Sequence, residues 1–170
     1  MNIWVNGCFD ILHTGHIELL EYAKKYNQSK LFDRTNRLYV GIDSDERVKR
    51  LKGDKRPINE DVERGRMLQA IRWVDRVVVF STDDEMRNYI TSFDIDYIVV
   101  GDHYKDKPVI GEERAIHGVV YFPTDKRSST DIIKKIQKEV YLEIYEENKD
   151  GETQISMAFN NFAVNKLRNL

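Results

Sequence analysis

Five short runs rich in β-branched and aromatic residues recur along the chain, at Ile3–Val5, Leu38–Ile42, Val77–Phe80, Tyr97–Val100 and Val119–Phe122, each bounded by polar or glycine-containing turns. Such residues fit a pleated, buried surface, so each run predicts a strand. Amphipathic stretches follow them at Ile17–Tyr26, Asp45–Leu51, Val62–Trp73, Glu85–Phe93 and Asp131–Val140. Apolar strands alternating with helices indicate a parallel sheet covered on both faces, because parallel neighbours need a crossover and the crossovers are right-handed. The expected class is therefore α/β, a doubly wound five-stranded parallel sheet with ligands at the carboxyl ends of its strands.

The 170 residues suffice for one domain with a proper core, and the α/β rhythm stops near Val140. This predicts a domain over residues 1–140 and a C-terminal extension over 141–170, whose apolar patch Ile155–Phe159 needs a surface to cover. The polar connection Asn27–Asn36 is longer than an ordinary helix-to-strand loop and is expected at the surface. A net charge of −2 gives no basic field of the kind that grips nucleic acid. No apolar run approaches the length of a membrane span, and the N-terminus runs into a strand without a basic-then-apolar leader. A soluble, cytoplasmic protein with neither nucleic acid nor membrane as partner is expected. The single cysteine, Cys8, excludes an internal disulfide and fits a reducing compartment, and no Cys/His spacing suits a protein-held metal.

Chemistry concentrates where the first strand ends. The segment Asn6-Gly7-Cys8-Phe9-Asp10-Ile11-Leu12-His13-Thr14-Gly15-His16 joins a strand, a turn and a helix start. A helix N-terminus carries unpaired N–H groups and positive partial charge, so it attracts phosphate. His13 and His16 stand at i and i+3, where both imidazoles reach one side, and Gly15 between them lets a ligand approach the backbone. Together they can clamp a polyphosphate. Asp10 can brace the turn or orient a ligand, and Cys8 reads as a small buried residue without a reactive thiol.

Other candidates lie on the same sheet edge. The cationic loop Lys49-Arg50-Leu51-Lys52-Gly53-Asp54-Lys55-Arg56-Pro57 follows the second strand, with Lys52 the favoured phosphate ligand and Lys49 and Lys55 beside it. Arg64 opens the helix Arg64–Trp73 and is placed to reach phosphate. Asp102 follows the fourth strand, where it can hold a ribose or a metal-bound water. Ser128, Ser129 and Thr130, preceded by Lys126-Arg127, open the last helix with hydroxyls that satisfy free N–H groups.

These residues together resemble the cytidylyltransferase-like nucleotidyltransferase superfamily, over about Asn2 to Lys138. The resemblance rests on Gly7 to His16 with its His-Thr-Gly-His ending, on Arg64 ahead of Ile71-Arg72-Trp73-Val74-Asp75, on Val100-Gly101-Asp102 and on Ser128 to Ile133. It implies a Rossmann-like nucleotidyltransferase fold and a homodimer. One branch, the adenylyltransferase domain of bacterial ADP-heptose synthesis, is similar through Arg50 to Asn59 and Ser128 to Ile136. The other, glycerol-3-phosphate cytidylyltransferase, is similar through Ile71 to Asp75 and Gly101-Asp102, but its arginine-led run before the Ser-Thr-Thr is replaced here by Pro123-Thr124-Asp125-Lys126-Arg127.

The resemblance implies attack of a sugar or alditol phosphate on the α-phosphorus of ATP or CTP, with loss of pyrophosphate. It assigns catalysis to His13, His16, Lys52 and Arg64. Nucleotide binding falls to Gly7, Cys8, Phe9, Gly15, Asp102, Ser128, Ser129 and Thr130, and acceptor binding to Asp10, Lys49 and Lys55. Mg²⁺ would be held mainly by the triphosphate. Two other classes fit less well: a nucleotide-binding regulator without turnover, which the complete set of residues argues against, and an RNA-binding protein, for which the sequence lacks a basic face or stacking motif.

Overall fold

The computed structural model describes residues 1–27, 36–124 and 128–147, with side chains as far as residue 141. The interior of the Asn27–Asn36 connection, the Lys126-Arg127 pair and the Ile155–Phe159 patch lie outside the described residues. The strands are β1 (Asn2–Gly7), β2 (Arg37–Asp43), β3 (Arg76–Phe80), β4 (Tyr97–Gly101) and β5 (Val119–Phe122). The helices are α1 (Thr14–Lys25), α2 (Asp45–Lys52), α3 (Asp61–Gln69), α4 (Asp83–Ser92) and α5 (Ser129–Glu147).

All strand pairs are parallel, in the order β3-β2-β1-β4-β5. Side-chain alternation along the strands divides the interior into two cores. Ile3 and Val5 of β1 join Leu38, Val40 and Ile42 of β2 with Leu20 and Ala23 of α1 and Leu68 of α3. On the opposite face Trp4, Ile98 and Val100 meet Met86 and Ile90 of α4. Helices thus cover both faces, as the runs of apolar residues predict. Close approach across β1 and β2 fixes one residue: a Cβ at Gly41 would lie 2.3 Å from the ring of Trp4, itself fully buried.

Helix boundaries follow local chemistry. The side chain of Ser44 caps α2 by accepting from the Arg47 N–H at 3.3 Å, and Thr82 caps α4 by accepting from the Glu85 N–H at 3.1 Å. The amphipathic pattern over Val62–Trp73 predicts a longer α3 than forms. The helix stops at Gln69, and tight turns follow, with the Ile71 N–H on the Leu68 carbonyl (3.0 Å) and the Val74 N–H on the Ile71 carbonyl (2.9 Å). Ile71, Trp73 and Val74 pack against the first core from these turns, and the Asp75 N–H then docks on the Leu38 carbonyl at the start of β2. Tertiary packing ends the helix where its periodicity alone would continue it.

The chain divides into two units at the Arg127–Ser128 junction. The second unit starts with α5, which runs unbroken past residue 140 to Glu147. Its start is capped by Ser128. The Ser128 hydroxyl donates to the Asp131 carboxylate at 2.7 Å, and the Asp131 N–H donates back to the hydroxyl oxygen at 3.1 Å.

Candidate active site

Strand order reverses between β1 and β4, so the crevice at their carboxyl ends is the switch point of the sheet. Ile3 pairs with Tyr97 and Trp4 with Ile98, and continuing that register brings Gly7 level with Gly101. Beyond Gly7 the chain turns sharply. Phe9 takes a left-handed backbone (φ 50°), an unfavourable conformation for a bulky residue, and its ring is buried against Gly7 and 5.0 Å from the ring of His16. A strained, buried residue between strand and helix holds the Cys8–His13 turn in one shape.

The turn delivers both histidines to the start of α1. His13 is its N-cap, with extended backbone, and its carbonyl accepts the first helical bonds from the N–H groups of His16 (3.0 Å) and Ile17 (3.4 Å). The imidazoles of His13 and His16 stack with centroids 3.8 Å apart. No acidic residue occupies the first turn of α1, so no carboxylate there offsets the positive helix end. The His13 N–H donates to Nδ1 of His16 at 3.4 Å. With Nδ1 accepting, neutral His16 carries its proton on Nε2 and keeps one N–H to donate. Burial, then the neighbouring His13 and the charge of Lys52 lower the pKa of His16 to about 4. His16 is therefore an uncharged donor at neutral pH.

Lys52, the last residue of α2, belongs to this cluster. Its charge acts on His16 and also on Cys8, whose thiol is raised above its ordinary range by burial, partly offset by Lys52 and Arg64. Lys49 and Lys55 are exposed on the same segment. The first unit thus brings together Gly7, Cys8, Phe9, His13, His16 and Lys52. Asp102 stands at the end of β4, where its carboxylate accepts from the Thr124 hydroxyl (2.6 Å) and N–H (3.3 Å), bonds that lower its pKa.

Two expected ligands take a different place. Arg64 is fully buried, and each of its three nitrogens is engaged by the protein: Nη1 donates to the Cys8 carbonyl (2.7 Å), Nε to the Asn59 carbonyl (3.0 Å) and Nη2 to the Asp45 carboxylate (2.6 Å). It pins the turn after β1 to the loop before α3 and to the start of α2. It holds the turn after β1 from behind, with all three nitrogens taken up by the protein. Asp10 is 1 % exposed, and its carboxylate accepts from Nε of Arg56 (2.7 Å), the Ile58 N–H (2.9 Å) and the Asn59 N–H (2.8 Å). Burial opposes its charge, but the bonds from Asn59, Ile58 and Arg56 outweigh burial and keep its pKa below the ordinary value. Asp10 braces the 56–59 loop with both carboxylate oxygens.

Four residues outside the sequence-based set complete this frame: Asp45, Arg56, Asn59 and Thr124. The Arg56-Pro57-Ile58-Asn59 run was visible in the sequence only as a motif; an aspartate placed to take its N–H groups is the physical reason for it. Among the described residues no group of three or more side chains is able to ligate a metal, and no helix is long and apolar enough to cross a membrane.

A family model described as cytidylyltransferase-like matches residues 4–135. The chain is 42 % identical over 135 residues to the "Bifunctional protein HldE" of Campylobacter fetus, a match covering 79 % of this chain and 28 % of that protein. It is 38 % identical over 138 residues to the protein of the same name from Geobacter metallireducens, covering 79 % of this chain and 26 % of the relative. The chain therefore spans only about a quarter of the length of these curated relatives. A crystal structure of a lipopolysaccharide core biosynthesis protein from Thermoplasma volcanium shares the fold, with a TM-score of 0.54 and 23 % identity over 74 % of this chain and 98 % of that one.

Proposed function

The chain belongs to the cytidylyltransferase-like family of nucleotidyltransferases, and on that premise we propose that it transfers AMP from ATP to a heptose 1-phosphate and releases pyrophosphate. The observation that carries the reaction is the stacked His13–His16 pair at a helix start without acidic residues, with the charge of Lys52 acting on it. The choice of ATP and of a heptose acceptor rests on the HldE relatives and on the Arg50–Asn59 and Ser128–Ile136 resemblance.

In this reading an oxygen of the acceptor's phosphate attacks the α-phosphorus in line and the pyrophosphate group leaves from the far side. The nucleophile is anionic at neutral pH, so no side chain needs to remove a proton. The protein instead positions the reactants and stabilises charge on the pentacoordinate phosphorus. Neutral His16 donates through Nε2, His13 stands against it, and the N–H groups of α1 face the same anion. Lys52 adds positive charge. Arg64 and Asp10 act one layer back, fixing the turn and the loop that carry these donors.

The donor set around the histidines suits phosphate oxygens and offers no carboxylate cluster. Mg²⁺ accordingly enters as part of the Mg–nucleotide substrate, held by phosphate oxygens and water. A homodimer is part of the same reading, supported by exposed Leu51, Ile58 and Val62. Light scattering of the full chain tests it.

A panel of ATP and CTP against heptose 1-phosphate and glycerol 3-phosphate, read by pyrophosphate release, tests the substrate assignment. Release is expected with ATP and heptose 1-phosphate. Preference for CTP with glycerol 3-phosphate would move the chain to the other branch, and nucleotide binding without release would make it a regulator.

A further inference from the structure

The proposed transfer gives Arg56 no role beyond its bond to Asp10. The side chain of Arg56 is 11 % exposed, and its Nε is fixed by the Asp10 carboxylate at 2.7 Å, yet its Nη2 is buried with no hydrogen-bond partner. Folded proteins seldom leave a buried donor unpaired, and a charged one least of all. The position of this donor is specific. The Arg56 N–H donates to the Gly53 carbonyl at 3.0 Å, one residue beyond Lys52, whose charge reaches His16. Asp10, on its other side, lies in the turn that ends at His13. Arg56 therefore stands between the cationic loop and the phosphate turn, held in orientation by a carboxylate that is itself clamped by the Ile58 and Asn59 N–H groups.

We propose that Arg56 binds the phosphate of the acceptor, making it the residue that selects a phosphate monoester as nucleophile. The proposal rests on the sugar-phosphate reading above. A planar guanidinium fixed through Nε keeps Nη2 for a second anion, and a phosphate oxygen matches that charged donor. Asp10 orients the fork and offsets part of its charge, so the attacking oxygen is held without being fully neutralised. Asp10 is in this sense a positioning residue, and Arg56 is the group that touches substrate.

The test uses the full chain labelled with ¹⁵N. The Arg56 Nε–H resonance is assigned by its loss in Arg56→Lys and followed during titration with inorganic phosphate, heptose 1-phosphate and unphosphorylated heptose. The resonance is expected to move saturably with both phosphates and to stay still with heptose. Arg56→Lys is expected to raise the acceptor KM about tenfold or more while the ATP KM holds. A resonance that ignores both phosphates, or an unchanged acceptor KM in Arg56→Lys, overturns the proposal. Phosphate-dependent movement without any pyrophosphate release would instead reject the transferase reading and leave the Arg56 phosphate site standing.

Discussion

Arg64→Met separates a frame residue from a catalytic one. The substitution keeps an unbranched apolar stem of comparable reach but removes the guanidinium, which strips donors from the Cys8 and Asn59 carbonyls and the ion partner from Asp45. An unsatisfied buried carbonyl costs about 1–3 kcal/mol, and breaking a buried ion pair about 3–5 kcal/mol. These costs overlap, and Asp45, 27 % exposed, recovers part of its hydration, so the net loss should be about 3–5 kcal/mol. For a chain of this size that lowers Tm by roughly 6–20 °C. Urea unfolding followed by circular dichroism should show the midpoint falling at constant slope, with Arg64→Lys in between. If Arg64→Met unfolds like the wild type while turnover collapses, the guanidinium acts on the phosphates directly and the frame role is refuted.

Three further outcomes follow from the same geometry. His16, with its pKa near 4, should stay neutral in an NMR titration down to about pH 5, whereas in the unfolded chain it protonates near pH 6.5. Its contribution to stability is thus complete above pH 6.5 and is lost as pH falls toward 4, by up to about 2–3 kcal/mol in chemical denaturation; a His16 titrating near 6.5 in the folded chain would contradict this. Lys52→Met should raise the His16 pKa, because a positive neighbour is removed, and should also slow turnover; an unmoved titration would place Lys52 away from the histidines. Gly41→Ala should destabilise by about 1–3 kcal/mol in urea, since its Cβ meets the Trp4 ring at 2.3 Å, and a neutral result would mean β1 and β2 separate more easily than described.

Much of the scaffold was legible because it is written in local pattern. The run Leu38–Ile42 locates β2 to within a residue at either end, and the His13–Gly15–His16 spacing locates the start of α1. What escaped is set by contacts distant in sequence. Arg64 looks like any arginine on a helix with alternating charge. Its burial depends on the Cys8 carbonyl 56 residues away, and no periodicity encodes that. The sequence lets Asp10 brace the turn or orient a ligand, and its partners lie 46 to 49 residues on. The end of α3 was placed too late for a related reason: Ile71, Trp73 and Val74 keep apolar spacing but bury themselves from turns.

On the proposed reading, the imidazole pair at the start of α1 drives nucleotidyl transfer. That role is tested most directly by ³¹P NMR of the wild type and of His16→Gln incubated with Mg–ATP and heptose 1-phosphate. The wild type should yield a nucleoside diphosphate-sugar and pyrophosphate in equal amounts, and His16→Gln, still folded, should form them slower by a factor on the order of a hundred or more. Unchanged spectra with the wild type, release of orthophosphate alone, or equal rates in the two proteins would contradict it.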